Sequence, residues 1–144
     1  MPISILVVPH GSSEYEAAVA LRRAVLRTPL GLDFTPEELR REAADTHLTA
    51  WSGDTLVGTV VMTRYTDTTV KLRQMAVSDA ARGTGAGAAL LSAFEHEART
   101  RGYADVTLAA RQTAEGFYAR HGYDTDGVVF EEVTLPHVRM WKTL

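Results

Sequence analysis

Between Thr69 and Ala110 the chain passes from an alternating apolar stretch, through a turn holding three glycines, into an Ala/Leu-rich helical stretch and then a second apolar run. Strand, helix and strand in that order almost require the two strands to lie parallel, because the helix is the crossover that returns the chain to the same end of the sheet. This unit constrains the fold more than any other stretch, and the remaining elements have to extend it.

On its amino-terminal side, Ile3–Val8 reads as a first strand. Ser12 or Ser13 can cap a helix whose apolar positions Ala17, Ala18, Leu21 and Val25 recur at three- and four-residue spacing and which ends near Arg27. Thr35-Pro36-Glu37-Glu38 supplies an N-cap, a first-turn proline and acidic residues for a short helix through about Ala43. The period then changes to two. His47–Trp51 turns at Gly53-Asp54 into Leu56–Tyr65, and Asp67-Thr68 turns the chain again into Thr69–Val77.

The central helix is expected from Gly85 to about Arg101, with Leu90, Leu91, Phe94 and Ala98 on one side and Glu95, His96 and Arg99 toward water. Ala104–Ala110 is the next strand, Ala114–His121 a short helix closed by Gly122, and Val128–Glu132 and His137–Leu144 are two final strands. The order β-α-α-β-β-β-α-β-α-β-β predicts one α/β domain over residues 1–144, a mixed sheet with helices on both faces.

At 144 residues and 45% hydrophobic, such a domain has enough apolar side chain for one core. The net charge is −3, and the pairs Arg22-Arg23 and Arg40-Arg41 sit beside glutamates, which argues against nucleic acid or an anionic membrane as partner. There is no cysteine, and no apolar stretch approaches the roughly 20 residues of a membrane span; Ile3–Val8 reads as a strand and not as a signal sequence, so the expected location is cytoplasmic. No histidine pair has zinc-like spacing and no G-x-S-x-G elbow occurs, so neither a metal nor serine-hydrolase chemistry is expected.

Gly83, Gly85 and Gly87 stand at the strand-to-helix junction, where a helix amino terminus offers unpaired N–H groups and a positive dipole end. The suggested ligand is a phosphate or pyrophosphate. A P-loop would need a lysine after the glycines, and none follows. Gly83-x-Gly85-x-x-Ala88 formally fits a dinucleotide fingerprint, but the acidic residue expected at the end of the next strand is missing, Asp105 lying at its start. The apolar phase before the turn, Val70, Leu72, Met75, Val77, contains one three-residue step, as an extra residue in the strand would produce.

Arg82-Gly83-Thr84-Gly85-Ala86-Gly87 has the form [RQ]-x-x-G-x-[GA], with "QMAV" before it and "AEGFYARHGY" some thirty residues after. Over Thr69 to Tyr123 the sequence resembles the GNAT superfamily of acetyl-CoA-dependent N-acetyltransferases. The resemblance implies a mostly antiparallel sheet of about seven strands with a splayed parallel pair in the middle. It also implies that backbone groups of Met75, Ala76 and Val77 pair with the pantetheine arm, that Arg82 to Ala88 cradle the pyrophosphate, and that Ala114 and Phe117 lie beside the cofactor.

The same resemblance places Tyr118 as the general acid that protonates the leaving thiolate. Many relatives carry Asn where this chain has Arg111, and one branch carries His at the position of Ala109. The tail "VVFEEVTLPHVRMWKTL" resembles an "F-x-E-x-G-I-P-H-x-x-M-x-K" pattern, with Thr134 in place of the glycine, and brings Glu132 and His137 forward as acceptor-side residues. The implied activity is acetyl transfer from acetyl-CoA to a small-molecule or peptide primary amine by direct attack, and a homodimer is compatible with it. The alternative is a noncatalytic acyl-CoA-binding module with the same fold.

Overall fold

In the computed structural model, which describes residues 2–144, six consecutive buried residues, Val57 to Met62, run through strand β3 (Thr55–Arg64). A run buried at six successive positions has both faces covered, so the middle of β3 sits inside a sheet with helices on either side. The chain order is β1 (Ile3–Val8), α1 (Ser13–Arg22), α2 (Pro36–Arg41), β2 (Thr46–Ser52), β3, β4 (Thr69–Val77), α3 (Ala86–Thr100), β5 (Asp105–Arg111), α4 (Glu115–Arg120), β6 (Asp124–Glu132) and β7 (Leu135–Thr143). This is the order read from the sequence. One seven-stranded sheet results, β1-β2-β3-β4-β5-β7-β6, antiparallel everywhere except at β4–β5.

One face packs on α3. Leu90, Leu91 and Phe94 are fully buried against Leu48, Val60, Val70 and Val106, each contributing about 1.5–3 kcal/mol of transfer free energy. Gly58 permits the close approach: a Cβ there would lie 3.2 Å from the Ala76 carbonyl oxygen and 3.4 Å from a Leu90 methyl. Val8 of β1, Tyr15 and Val19 of α1 and Phe34 from the segment after it form a smaller cluster.

Local signals in the sequence act as expected at the helix starts. The Ser12 hydroxyl accepts from the Tyr15 amide, and Thr35 and Glu38 make a reciprocal capping box. Beyond Arg22 the first helix continues to Arg27 with the wider π-type turn, so its predicted length is right and its last turn is not α-helical.

Two expectations need correction. Glu95 does not face water: it is 7% exposed and accepts from the Tyr123 hydroxyl at 2.9 Å and from Lys142 at 3.0 Å. Helical periodicity placed it on the polar side, but β7 and the loop after α4 cover that side and supply its partners. The last helix begins at Glu115, and Ala114 belongs to the 3-10 turn before it.

The second cluster also contains an ion pair. Arg22, 1% exposed, donates to both carboxylate oxygens of Glu42, at 2.8 and 2.6 Å, while the Tyr15 hydroxyl donates to Glu42 at 2.8 Å. Burial alone would raise the Glu42 carboxyl, but the hydrogen bonds and charge of Arg22, with the Tyr15 hydroxyl, hold it below the usual carboxylate range.

Candidate active site

The parallel pairing of β4 and β5 joins only Thr69–Leu72 to Asp105–Leu108. Immediately after Leu72 the antiparallel register between β3 and β4 slips: Val61 faces Arg73 but Thr59 faces Ala76, so β4 holds one extra residue. Gln74 adopts φ 54°, a left-handed conformation that a non-glycine residue takes at a cost of order 1–3 kcal/mol. This is the bulge that the three-residue apolar step in the sequence signals. It turns the second half of β4 away from β5 and opens a gap in the middle of the sheet.

At one end of the gap lies the glycine turn. Gly83 (φ 78°) and Gly85 (φ 86°) are left-handed, and a Cβ on either would meet nothing within 4 Å, so glycine is required there by conformation and not by crowding. Gly85 is the N-cap of α3, and no side chain caps this 15-residue helix. Its first amides are therefore open to an anion. Gly87 differs: a Cβ there would touch the Phe117 ring at 3.5 Å, which puts Phe117 against the turn. The Arg82 side chain points along the surface to Asp79 at 3.3 Å.

Around the gap is a cavity of about 340 Å³ lined by residues of five regions: Leu26 and Arg27 after α1, Glu38 of α2, Gln74 and Met75 of β4, Arg111 and Tyr118 at and beyond the end of β5, and Glu132 and His137 of the last hairpin. The predicted acid and both predicted acceptor-side residues thus share one cavity. Ala114 also lines it. Ala76 and Val77 continue β4 past the bulge, paired with Thr59 and Gly58 on the β3 side.

Tyr118 is 6% exposed and its hydroxyl donates to a single partner, the Met75 sulfur at 3.4 Å. A thioether is a weak acceptor, so the hydroxyl is available to a better one. Burial pushes the phenol well above its ordinary value, which keeps it protonated throughout the physiological range.

His137 is 3% exposed, and its Nδ1 lies 2.9 Å from the Leu135 carbonyl oxygen. A carbonyl only accepts, so Nδ1 carries the proton and, in the neutral ring, Nε2 holds a lone pair. That Nε2 is 3.8 Å from Glu132 Oε2. The turn between them, Val133-Thr134, has φ 44° and 67° at two β-branched residues. Thr134, which stands where the resembled tail pattern has glycine, is therefore held in a conformation that glycine would adopt freely.

Among the lining residues that the sequence did not bring forward as site residues, three bear on the chemistry: Gln74, Arg27 and Arg111. Gln74 is the residue displaced by the bulge, and its Oε1 is buried without a hydrogen-bond partner. Arg27 and Arg111 are half-buried; Arg111 donates to the Leu26 carbonyl at 2.8 Å, and Arg27 lies over the Phe34 ring at 4.6 Å. Arg111 was visible in the sequence as a departure from the common asparagine. Arg27 left no signal, because the π-turn that aims it does not follow from apolar spacing. Gln112, next to Arg111, is exposed and lines only a shallow neighbouring hollow.

The acetyltransferase (GNAT) domain profile matches residues 20–144. Among solved structures, a protein from Lactobacillus plantarum described as an N-acetyltransferase superposes with a TM-score of 0.87 at 26% identity, over 99% of this chain and 98% of its own. Escherichia coli ElaA gives a TM-score of 0.80 at 24% identity, over 98% and 99% of the two chains. An aminoglycoside 6'-N-acetyltransferase, solved in complex with coenzyme A, gives 0.79 at 20% identity, over 97% and 96%. With the profile match, the parallel pair opened by a bulge and the glycine turn at the start of α3, this chain belongs to the GNAT acetyltransferase family.

Proposed function

We propose that the protein transfers the acetyl group of acetyl-CoA to a primary amine by direct attack, with no covalent acyl-enzyme. The observation that carries this reading is the single cavity that contains the open edge of β4, the Tyr118 hydroxyl and the His137–Glu132 pair. The pyrophosphate of coenzyme A would meet the backbone of Arg82 to Ala88, and the pantetheine arm would extend along Met75, Ala76 and Val77, flanked by Ala114 and Phe117. The glycine conformations and the uncapped start of α3 fit the first role; the unpaired half of β4 fits the second.

The residues of the chain then have two proton tasks. An alkylamine with a pKa near 10.4 is mostly ammonium at neutrality and has to lose a proton before its lone pair attacks the thioester carbon. The Nε2 lone pair of His137 can take that proton, with Glu132 3.8 Å away to stabilise the imidazolium. As the carbon–sulfur bond breaks, the electron pair goes to sulfur, and Tyr118 donates to it. Free-thiol release from acetyl-CoA across a panel of primary amines tests the reading. Binding of acetyl-CoA with no amine-dependent release would favour the noncatalytic acyl-CoA-binding alternative instead.

A further inference from the structure

Five arginines are withdrawn from full exposure, at positions 22, 23, 27, 73 and 111. Three of them have a carboxylate within 4.0 Å: Arg22 has Glu42, Arg23 has Asp33 and Arg73 has Asp45. The other two, Arg27 and Arg111, have none among the described residues, and both line the cavity. Of the three that line the cavity, Arg73 is answered by Asp45 at 3.9 Å, and Arg27 and Arg111 have no carboxylate that close.

The two unpaired groups are also held together. Arg27 Nη1 and Arg111 Nη2 donate to one and the same oxygen, the carbonyl of Leu26, at 3.2 and 2.8 Å, so these nitrogens lie at most about 6 Å apart. Phe34 supports Arg27 from below, with the guanidinium carbon 4.6 Å from the ring centroid. Two like charges clamped this close, partly desolvated and with no carboxylate in direct contact, form a site that an anion would relieve. Burial and the charge of Arg111 both act on Arg27 in the direction that disfavours its charged form.

The remaining charges do not supply that anion. Glu38, exposed at the rim, and Glu132, 3.8 Å from His137, favour the charged form of Arg27 from a distance, but neither comes within 4.0 Å of either guanidinium. With Arg73 answered by Asp45, Arg27, Lys71 and Arg111 stand around the cavity against Glu38 and Glu132, still a positive excess in a chain whose net charge is −3. Tyr118 is neutral there.

We propose that the amine acceptor carries an anionic group, a carboxylate or a phosphate monoester, and that Arg27 and Arg111 grip that group together while its amine faces His137. Both anions present the paired oxygens that a guanidinium fork matches, and a cavity of about 340 Å³ suits a small molecule. The assignment of the anion to an acceptor rests on the acetyl-transfer reading above, whereas the anion site itself does not.

The test separates the two. Protein saturated with coenzyme A, which cannot turn over, is titrated calorimetrically with matched pairs. L-amino acids of small, polar, acidic and aromatic side chain are each compared with the corresponding carboxamide, and O-phosphoethanolamine is compared with ethanolamine. The anionic member of at least one arm is expected to bind about tenfold tighter or more, and Arg27→Gln and Arg111→Gln should each erase the preference. The arm that responds identifies carboxylate or phosphate. The proposal is overturned if every neutral partner binds as well as its anionic counterpart, if no anionic member binds, or if the preference survives in both variants. An anionic amine that binds with the expected preference but releases no thiol from acetyl-CoA would leave the anion site standing and remove acetyl transfer.

Discussion

Replacing Tyr118 by Phe removes one oxygen and almost nothing else. The ring keeps its edge-on contacts with Phe117 and Tyr123, at 5.2 and 5.7 Å between centroids, and the only hydrogen bond lost is the one to the Met75 sulfur. A bond to so weak an acceptor contributes at most about 1 kcal/mol, which for a chain of this size moves Tm by no more than about 4 °C. If Tyr118 protonates the thiolate, the rate effect is larger: general-acid catalysis is worth about 10²–10⁴ in kcat, or about 2.7–5.4 kcal/mol of barrier. On reference values a phenol is a weaker acid than a thiol by about 1.5 units, and burial widens the gap on the phenol side. Transfer is therefore uphill before bond breaking and becomes accessible as charge grows on sulfur. Because the phenol stays protonated, wild-type kcat should show no limb from this residue between about pH 6 and pH 9. Pre-steady-state thiol release with a confirmed acceptor is the assay. A Tyr118→Phe variant that is folded, binds acetyl-CoA normally and keeps the wild-type chemical rate would show that the hydroxyl is only a packing group and that the reasoning is wrong.

Gly85→Ala forces a methyl-bearing residue into φ 86°, at about 1–2 kcal/mol, and should weaken coenzyme A at least several-fold while leaving pantetheine, which lacks the phosphates, nearly unchanged; equal losses by calorimetry would favour a purely structural turn. Glu132→Gln and His137→Gln should raise the acceptor KM or shift the acidic limb of the rate profile with coenzyme A affinity unaltered, and wild-type kinetics in the double variant would remove both from the site. Arg22→Met should destabilise the fold by about 3–5 kcal/mol in urea, because Glu42 is left charged and buried, whereas Arg22→Met with Glu42→Leu should recover most of the loss. Since Glu42 is held below the usual carboxylate range, the stability it contributes is present above its unfolded value of about 4.3 and disappears as pH falls through its folded value. The double variant should lack that part of the acid slope.

The element order was legible because each element carries a local signal: Ser12 and Thr35 cap, Gly53, Gly102 and Gly122 end or turn, and the period switches from about three and a half to two at His47. The bulge was legible too, as a break in alternation, since one extra residue moves every later side chain to the other face. What stayed hidden depends on elements distant in sequence. Glu95 is buried by Tyr123 and Lys142, and Arg27 meets Arg111 across 84 positions of chain through one carbonyl. Periodicity reports which side of a helix is polar, but not whether another strand will later cover it.

Mechanically, the sheet is two antiparallel leaves, β1 to β4 and β5 to β7, stitched by four parallel residue pairs. A stitch that short is the thinnest strand pairing in the sheet, and amide exchange should find it before the leaves themselves open. Any ligand that bridges the open edges fastens one leaf to the other, so the stability of the whole chain becomes a function of ligand concentration, rising as RT ln(1 + [L]/Kd). In a cell, the supply of that ligand would then govern how long each copy of the chain survives as well as how fast it works.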